Sequence, residues 1–285
     1  MFGHIALFLS IISFGRVVGQ DTIPFSLNSD NNIIIKGVVN DVDSLDLMLH
    51  TAANVFTITK ESALRIKSVR FENKDSIDSW GGNNETVFSK NNTLKLTDEI
   101  SFDSLHIWQN DYSGKTTDGK IGLNLFADKV VEINFEKQIV VLKNVTDKIS
   151  KDNRTVKLYA QNDLYFVEGG LLIGSDTIAN KYLIHSGYAG GILLDDEFSS
   201  KNNIAQKIEI TNEQDLKDSY GNILKTYNGT LNQFILGNNC IEKCEISFFS
   251  GSIGKQKMSV IGTAIISKFN WIFDIKNNLV YLRRI

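Results

Sequence analysis

Leu47-Met48-Leu49-His50-Thr51-Ala52-Ala53 and, 135 positions later, Tyr182-Leu183-Ile184-His185-Ser186-Gly187-Tyr188 follow one pattern. Each is an apolar run, then a histidine, a hydroxyl residue and a small residue. Such runs read as buried strands whose ends present a polar group on a tight turn. The chain has only four histidines. His4 falls in an N-terminal segment that reads as removable, so two of the remaining three hold matched places.

A second pair of stretches lines up in the same order. Gly122-Leu123-Asn124-Leu125-Phe126 through Ile133-Asn134-Phe135 aligns without a gap with Gly262-Thr263-Ala264-Ile265-Ile266 through Phe273-Asp274-Ile275, an offset of 140. Both continue through a polar turn to a final strand, Val140-Val141-Leu142 and Val280-Tyr281-Leu282. Each half therefore predicts an apolar strand ending in histidine, then an Ile-Gly dipeptide, a short helix and a β-hairpin. Trp80-Gly81-Gly82 and Asp218-Ser219-Tyr220-Gly221 read as hairpin turns at corresponding places. Thr57 to Ile66 and Asp195 to Phe198 read as short helices, with Thr59 and Asp195 as N-caps. The expected organisation is a first lobe over 20–146, a linker over 147–154 and a second lobe over 155–285, mostly β.

The four motifs resemble those of the aspartic peptidase superfamily, of pepsin-like and retropepsin-like fold. The likeness is greatest to the exported two-lobed aspartyl-protease-like proteins of bacteria such as Bacteroidetes. In that superfamily each half carries an apolar strand followed by Asp-Thr-Gly or Asp-Ser-Gly, and later an apolar-apolar-Gly motif beneath that loop. Here Thr51 is retained, with His50 in place of Asp and Ala52 in place of Gly. Ser186-Gly187 is retained, with His185 in place of Asp. Lys120-Ile121-Gly122 and Val260-Ile261-Gly262 match the later motifs. The resemblance spans about Ile23 to Ile285. It implies a two-lobed fold with a cleft between β-barrel-like lobes, and places His50 and His185 at the catalytic positions. It also implies that Thr51 and Ser186 tie the two loops together, with Gly187 in the binding loop. Trp80 and Tyr220, at glycine turns, are candidate flap residues over the cleft, with packing on a lobe surface as their plainer reading.

The replacement changes the chemistry. Two close carboxyls share one proton because both cannot ionise easily, and that pair activates a water. Two neutral imidazoles each offer one donor and one acceptor, with an ordinary pKa near 6.5. They do not reproduce the carboxylate pair. Three readings follow: a catalytically silent fold that binds a peptide or another ligand in the cleft, a hydrolase with a His50/His185 dyad that either binds Zn²⁺ or a similar ion or relays protons without a metal, and a structural or surface-interaction protein. His106 is the first further ligand to consider. Asp46, four residues before His50, is a candidate to orient its ring, and Asp195 or Asp196 a candidate replacement carboxylate; solvent exposure and helix capping are their plainer readings.

The remaining signals set the context. With 42% apolar and 22% charged residues the chain reads as globular. A net charge of −3 and the lack of a basic stripe give no case for nucleic acid. Residues 1–19 read as a signal peptide, with an apolar core over Ile5–Phe14 that is too short to span a bilayer. Export to a periplasm, cell surface or medium is expected, with no stable membrane span. In that setting Cys240 and Cys244 are expected to form a small local disulfide.

Overall fold

The computed structural model describes residues 21–79, 82–144, 154–221, 223–249 and 256–285. The signal segment, Trp80 and the expected linker up to Asn153 lie outside the described residues. Ten strands lie in the first half: β1 (Asp21–Leu27), β2 (Ile33–Val39), β3 (Asp43–Leu49), β4 (Phe56–Thr59), β5 (Asn73–Ser79), β6 (Gly82–Lys95), β7 (Ser101–Asn110), β8 (Gly119–Ile121), β9 (Val130–Asn134) and β10 (Ile139–Lys143). Ten more follow: β11 (Arg154–Gln161), β12 (Leu164–Ile173), β13 (Asp176–Ile184), β14 (Ile192–Leu193), β15 (Ile210–Lys217), β16 (Ile223–Leu236), β17 (Asn239–Phe248), β18 (Ser259–Ile261), β19 (Phe269–Asp274) and β20 (Leu279–Arg284). Helices are short: α1 (Lys60–Ala63), α2 (Asp196–Lys201), α3 (Ile204–Lys207) and α4 (Thr263–Ile266), with a 3₁₀ turn at Leu123–Phe126.

The two halves pair alike. Strand β3 runs parallel to β8, with Leu47 opposite Gly119 and Leu49 opposite Ile121. Ten strands on, β13 runs parallel to β18, with Tyr182 opposite Ser259 and Ile184 opposite Ile261. Likewise β4 sits between β7 and β8, as β14 sits between β17 and β18. The halves join where β9 pairs antiparallel with β19, Glu132 opposite Ile272. Those two residues differ by the 140 positions that align the sequences, so an approximate two-fold axis passes between them. The joined sheet runs β1–β10–β9–β19–β20–β11. Buried Trp271, Phe273 and Ile133 fill it, and Trp271 donates its ring N–H to Ile266 O at 2.8 Å. Each such side chain contributes about 1.5–3 kcal/mol on leaving water. One apolar core runs through both halves.

The Ile-Gly dipeptides have a steric cause. A Cβ on Gly122 would lie 2.0 Å from Ala53 O, and one on Gly262 would lie 2.3 Å from Gly190 O. Each glycine lets the short helix segment press against the loop after the histidine.

Two expectations are corrected. Residues from Thr57 do not begin a helix. Phe56–Thr59 is strand β4, with Ile58 fully buried, and the helix is confined to Lys60–Ala63. The β-branched run Thr57-Ile58-Thr59 suits a pleated, buried surface better than a helix. Thr59 does cap α1, accepting from Ser62 N at 3.1 Å, and Asp195 caps α2, accepting from Phe198 N at 2.7 Å. The expected Cys240–Cys244 disulfide is not formed; both thiols are free. The two residues lie on one strand, β17, and four strand steps span roughly 13 Å, where a disulfide needs Cα atoms within about 7 Å. Lys243, with φ of 51°, interrupts the alternation, so Cys240 faces solvent while Cys244 is buried.

Candidate functional site

Strands β3 and β13 end side by side, each releasing its chain into a turn that begins with histidine. Each turn is held from below by its own half. His50 N donates to Ile121 O at 2.8 Å and His185 N to Ile261 O at 3.0 Å. Ala53 N closes the first turn onto His50 O at 2.9 Å, and Tyr188 N closes the second onto His185 O at 3.1 Å.

The two turns then grip each other. Thr51 N donates to Ser186 Oγ and Ser186 N donates to Thr51 Oγ1, each at 2.9 Å. The hydroxyls pass their own protons across: Thr51 Oγ1 donates to Ile184 O at 2.6 Å, and Ser186 Oγ donates to Leu49 O at 2.7 Å. Both residues are fully buried. Every donor and acceptor in this ring of four bonds is satisfied, which is what a buried polar pair needs. Asn32 adds a cross-link from the first half, donating to Ser186 O at 2.9 Å.

This grip brings His50 and His185 together. Their ring centroids lie 4.6 Å apart at an interplanar angle of 65°. His50 is 7% exposed and His185 is partly buried. Neither Nδ1 has a hydrogen-bond partner among the described residues, although both atoms are buried. Gly187 lies against the pair: a Cβ there would meet His50 Nε2 at 2.3 Å. Ala52, its counterpart in the first loop, carries a methyl where Gly187 has none.

Lys120 is a site residue that the histidine motifs do not mark. It stands one residue before Ile121 on β8, opposite Met48. Its ammonium donates to Ser219 Oγ at 2.6 Å and acts on both imidazoles. Burial first, and then the charges of His185 and Lys120, hold His50 well below its ordinary range. Burial and Lys120 push His185 down to about 4. Lys120 itself is pushed down to about 8 by burial, against the pull of the Asp218 carboxylate. At neutral pH both rings are therefore neutral and the lysine is mostly charged.

Ser219 belongs to the turn between β15 and β16, which reaches from the second half onto the first. Asp111 N and Tyr112 N donate to Ser219 O at 2.9 and 3.1 Å. Tyr220 N is held by Asp218 Oδ1 at 2.9 Å. Burial, Asp111 and Asp218 push the Tyr220 hydroxyl up to about 12. Tyr220 thus sits at a hairpin tip that meets the opposite half beside the histidine floor.

The other candidates fall elsewhere. His106 is exposed on β7, its ring 5.8 Å from those of Phe88 and Trp108. Asp46 pairs with Lys36 at 3.0 Å on the surface. Asp195 is occupied as a helix cap and as acceptor for Ser259 Oγ at 2.7 Å. The donor set does not suit a catalytic zinc, which takes three protein ligands. No group of three or more His, Cys, Asp or Glu side chains converges among the described residues. An ammonium beside two imidazoles also opposes a second cation.

No family model matches the sequence, and no curated protein matches it. Solved structures do match. The crystal structure of an aspartic proteinase from Irpex lacteus superposes with a TM-score of 0.61 at 12% identity, covering 93% of this chain and 97% of that one. At that identity the likeness shows the fold: mostly β, two-lobed and pepsin-like. No helix among the described residues is long and apolar enough to cross a membrane.

Proposed function

We propose that this chain is an exported protein of pepsin-like fold whose cleft binds a peptide, or another extended ligand, without aspartic-peptidase chemistry. One observation carries the reading: the loop-to-loop grip is complete, yet the two groups it presents are imidazoles 4.6 Å apart. In the peptidase mechanism one carboxyl takes a proton from water while the other protonates the scissile carbonyl. His50 and His185 are both neutral above about pH 6.5, so neither brings the extra proton. At acid pH, charging one opposes charging the other, and Lys120 opposes both. The apolar segment Ile5–Phe14 supports the expectation of export.

The test is a mixture of unstructured peptides incubated with the protein from acidic to neutral pH and read by mass spectrometry, alongside binding read by fluorescence anisotropy. The expected result is binding that a Ser219→Trp change at the hairpin tip weakens, with no cleavage. Cleavage abolished by His50→Ala would overturn the reading in favour of a histidine-dependent hydrolase.

A further inference from the structure

In a pepsin-like cleft the paired catalytic groups are acids. Here the groups at that place are bases. His50 and His185 face each other, each with a buried Nδ1 that lacks a partner among the described residues. Lys120, on β8 opposite Met48, is close enough for its charge to act on both rings. On the other side of the two-fold axis its counterpart is Val260, which packs with Leu183, Leu193 and Phe249 in a small apolar cluster of its own. Ala52 and Tyr188, from the two histidine loops, lie against that cluster. The second half is thus apolar where the first carries Lys120, and Ala52 and Tyr188 are the partly exposed apolar groups beside the histidines.

From this arrangement we infer that His50, His185 and Lys120 form a carboxylate-binding site, and that the cleft selects peptides presenting an acidic group next to an apolar residue. The inference rests on the cleft-binding reading and names its ligand. An ionised carboxylate accepts only, and can take several donors at once. Lys120 supplies an ammonium and each protonated imidazole an N–H, all charge-assisted. The protein already places an acid of its own nearby. Asp218, 5% exposed at the hairpin tip, acts on Lys120 while Ser219 Oγ accepts its proton at 2.6 Å. The tip thus competes with a ligand for the lysine.

The pH dependence has a definite sign. The groups around the floor are His50, His185 and Lys120, with Asp218 and Tyr220 from the hairpin tip and Asp111 where that tip lands. A bound carboxylate favours the imidazolium forms, so binding takes up protons. Affinity is lost as pH rises through the Lys120 value near 8, increases further as pH falls toward the His185 value near 4, and declines once the ligand acid protonates near about 3.9.

The test uses three fluorescein-labelled, end-capped hexapeptides differing only at the centre, Asp-Leu, Asn-Leu or Lys-Leu. A fourth, neutral peptide with a free C-terminus asks whether a chain-terminal carboxylate serves as well. A separate arm titrates both histidine Cε1–H signals by NMR with and without concentrated acetate. We expect the Asp peptide to bind about tenfold or more tightly than the Asn peptide at about pH 5.5. Lys120→Met should erase that preference with near-UV circular dichroism unchanged, and Asp218→Asn should enlarge it. Equal affinity for the Asp and Asn peptides, or a preference that survives Lys120→Met, overturns the carboxylate site and leaves the cleft-binding reading standing. If no peptide binds but acetate raises both histidine midpoints, the carboxylate site stands and the peptide reading falls. Failure of peptides and acetate together overturns both.

Discussion

The two histidine loops share their scaffold and differ in what surrounds it. Below the first, the strand that supports the turn carries Lys120; below the second, the matched place carries Val260, 4% exposed. The first loop has Ala52 where the second has Gly187, whose bare Cα accommodates the His50 ring. The grip itself is symmetric to within about 0.1 Å in its paired hydrogen bonds, 2.9 with 2.9 and 2.6 with 2.7 Å. The backbone that builds the site is thus alike in both halves, whereas the charge around it is one-sided. That division separates what holds the fold from what sets its chemistry.

The comparison breaks most severely at the grip. Thr51→Val keeps the shape but orphans Ser186 N and Ile184 O inside the protein. Leaving buried groups unpaired costs about 1–3 kcal/mol each, so a loss of roughly 3–4 kcal/mol is expected in urea unfolding. Ser186→Ala should cost a similar amount, because it orphans the mirror pair, Thr51 N and Leu49 O. A loss confined to one of the two variants would show that the halves do not share the load.

Steric asymmetry comes next. Gly187→Ala drives a methyl into His50 Nε2 and should cost about 1–3 kcal/mol, with the His50 ring signals displaced in NMR. Ala52→Gly, the reciprocal change, should cost only about 0.5–1 kcal/mol through chain entropy. Equal costs would contradict the placement of the rings.

The electrostatic effect appears only as pH falls. His185 has a folded pKa near 4 against an ordinary 6.5, so the unfolded chain binds its proton more readily. The stability tied to this group is full above about pH 6.5 and is lost as pH falls toward 4, by up to roughly 3 kcal/mol. His185→Asn should flatten the slope of stability against pH across that window, read from urea midpoints. The smallest change is Lys120→Val, which copies the second half's residue onto the first. It should move both histidine midpoints upward, since Lys120 lowers each.

Much of the fold was legible in residues. The repeated apolar-His-hydroxyl motifs and the two Ile-Gly dipeptides fixed where β3, β8, β13 and β18 fall, because a close backbone approach demands glycine in a way that few other constraints do. The grip between Thr51 and Ser186 could be expected from the resemblance, and its hydrogen bonds have the reciprocal form the motifs imply. The cysteines were misjudged because spacing in sequence does not reveal that both sit on one extended strand. The start of α1 was misplaced because Thr57-Ile58-Thr59 is short enough for either period, and its burial between β7 and β8 decided for strand. Lys120 lies inside one of the matched motifs. Its signal was the contrast with Val260 in the aligned motif, a charged residue facing an apolar one where the halves otherwise match. Ser219 and Asp218 had no such signal, since only the folded hairpin brings them to Lys120.

The floor pairs the backbone of a pepsin-like fold with basic side chains. The most direct test of that pairing restores the acids. His50→Asp with His185→Asp leaves Lys120 beside the pair, where its ammonium holds both carboxylates ionised and opposes the shared proton. Adding Lys120→Val removes that obstacle. Peptide cleavage at acid pH, read by mass spectrometry, should be absent in the parent protein, weak or absent in the double variant and strongest in the triple variant. Cleavage by the parent protein that disappears on restoring the two aspartates would contradict the account.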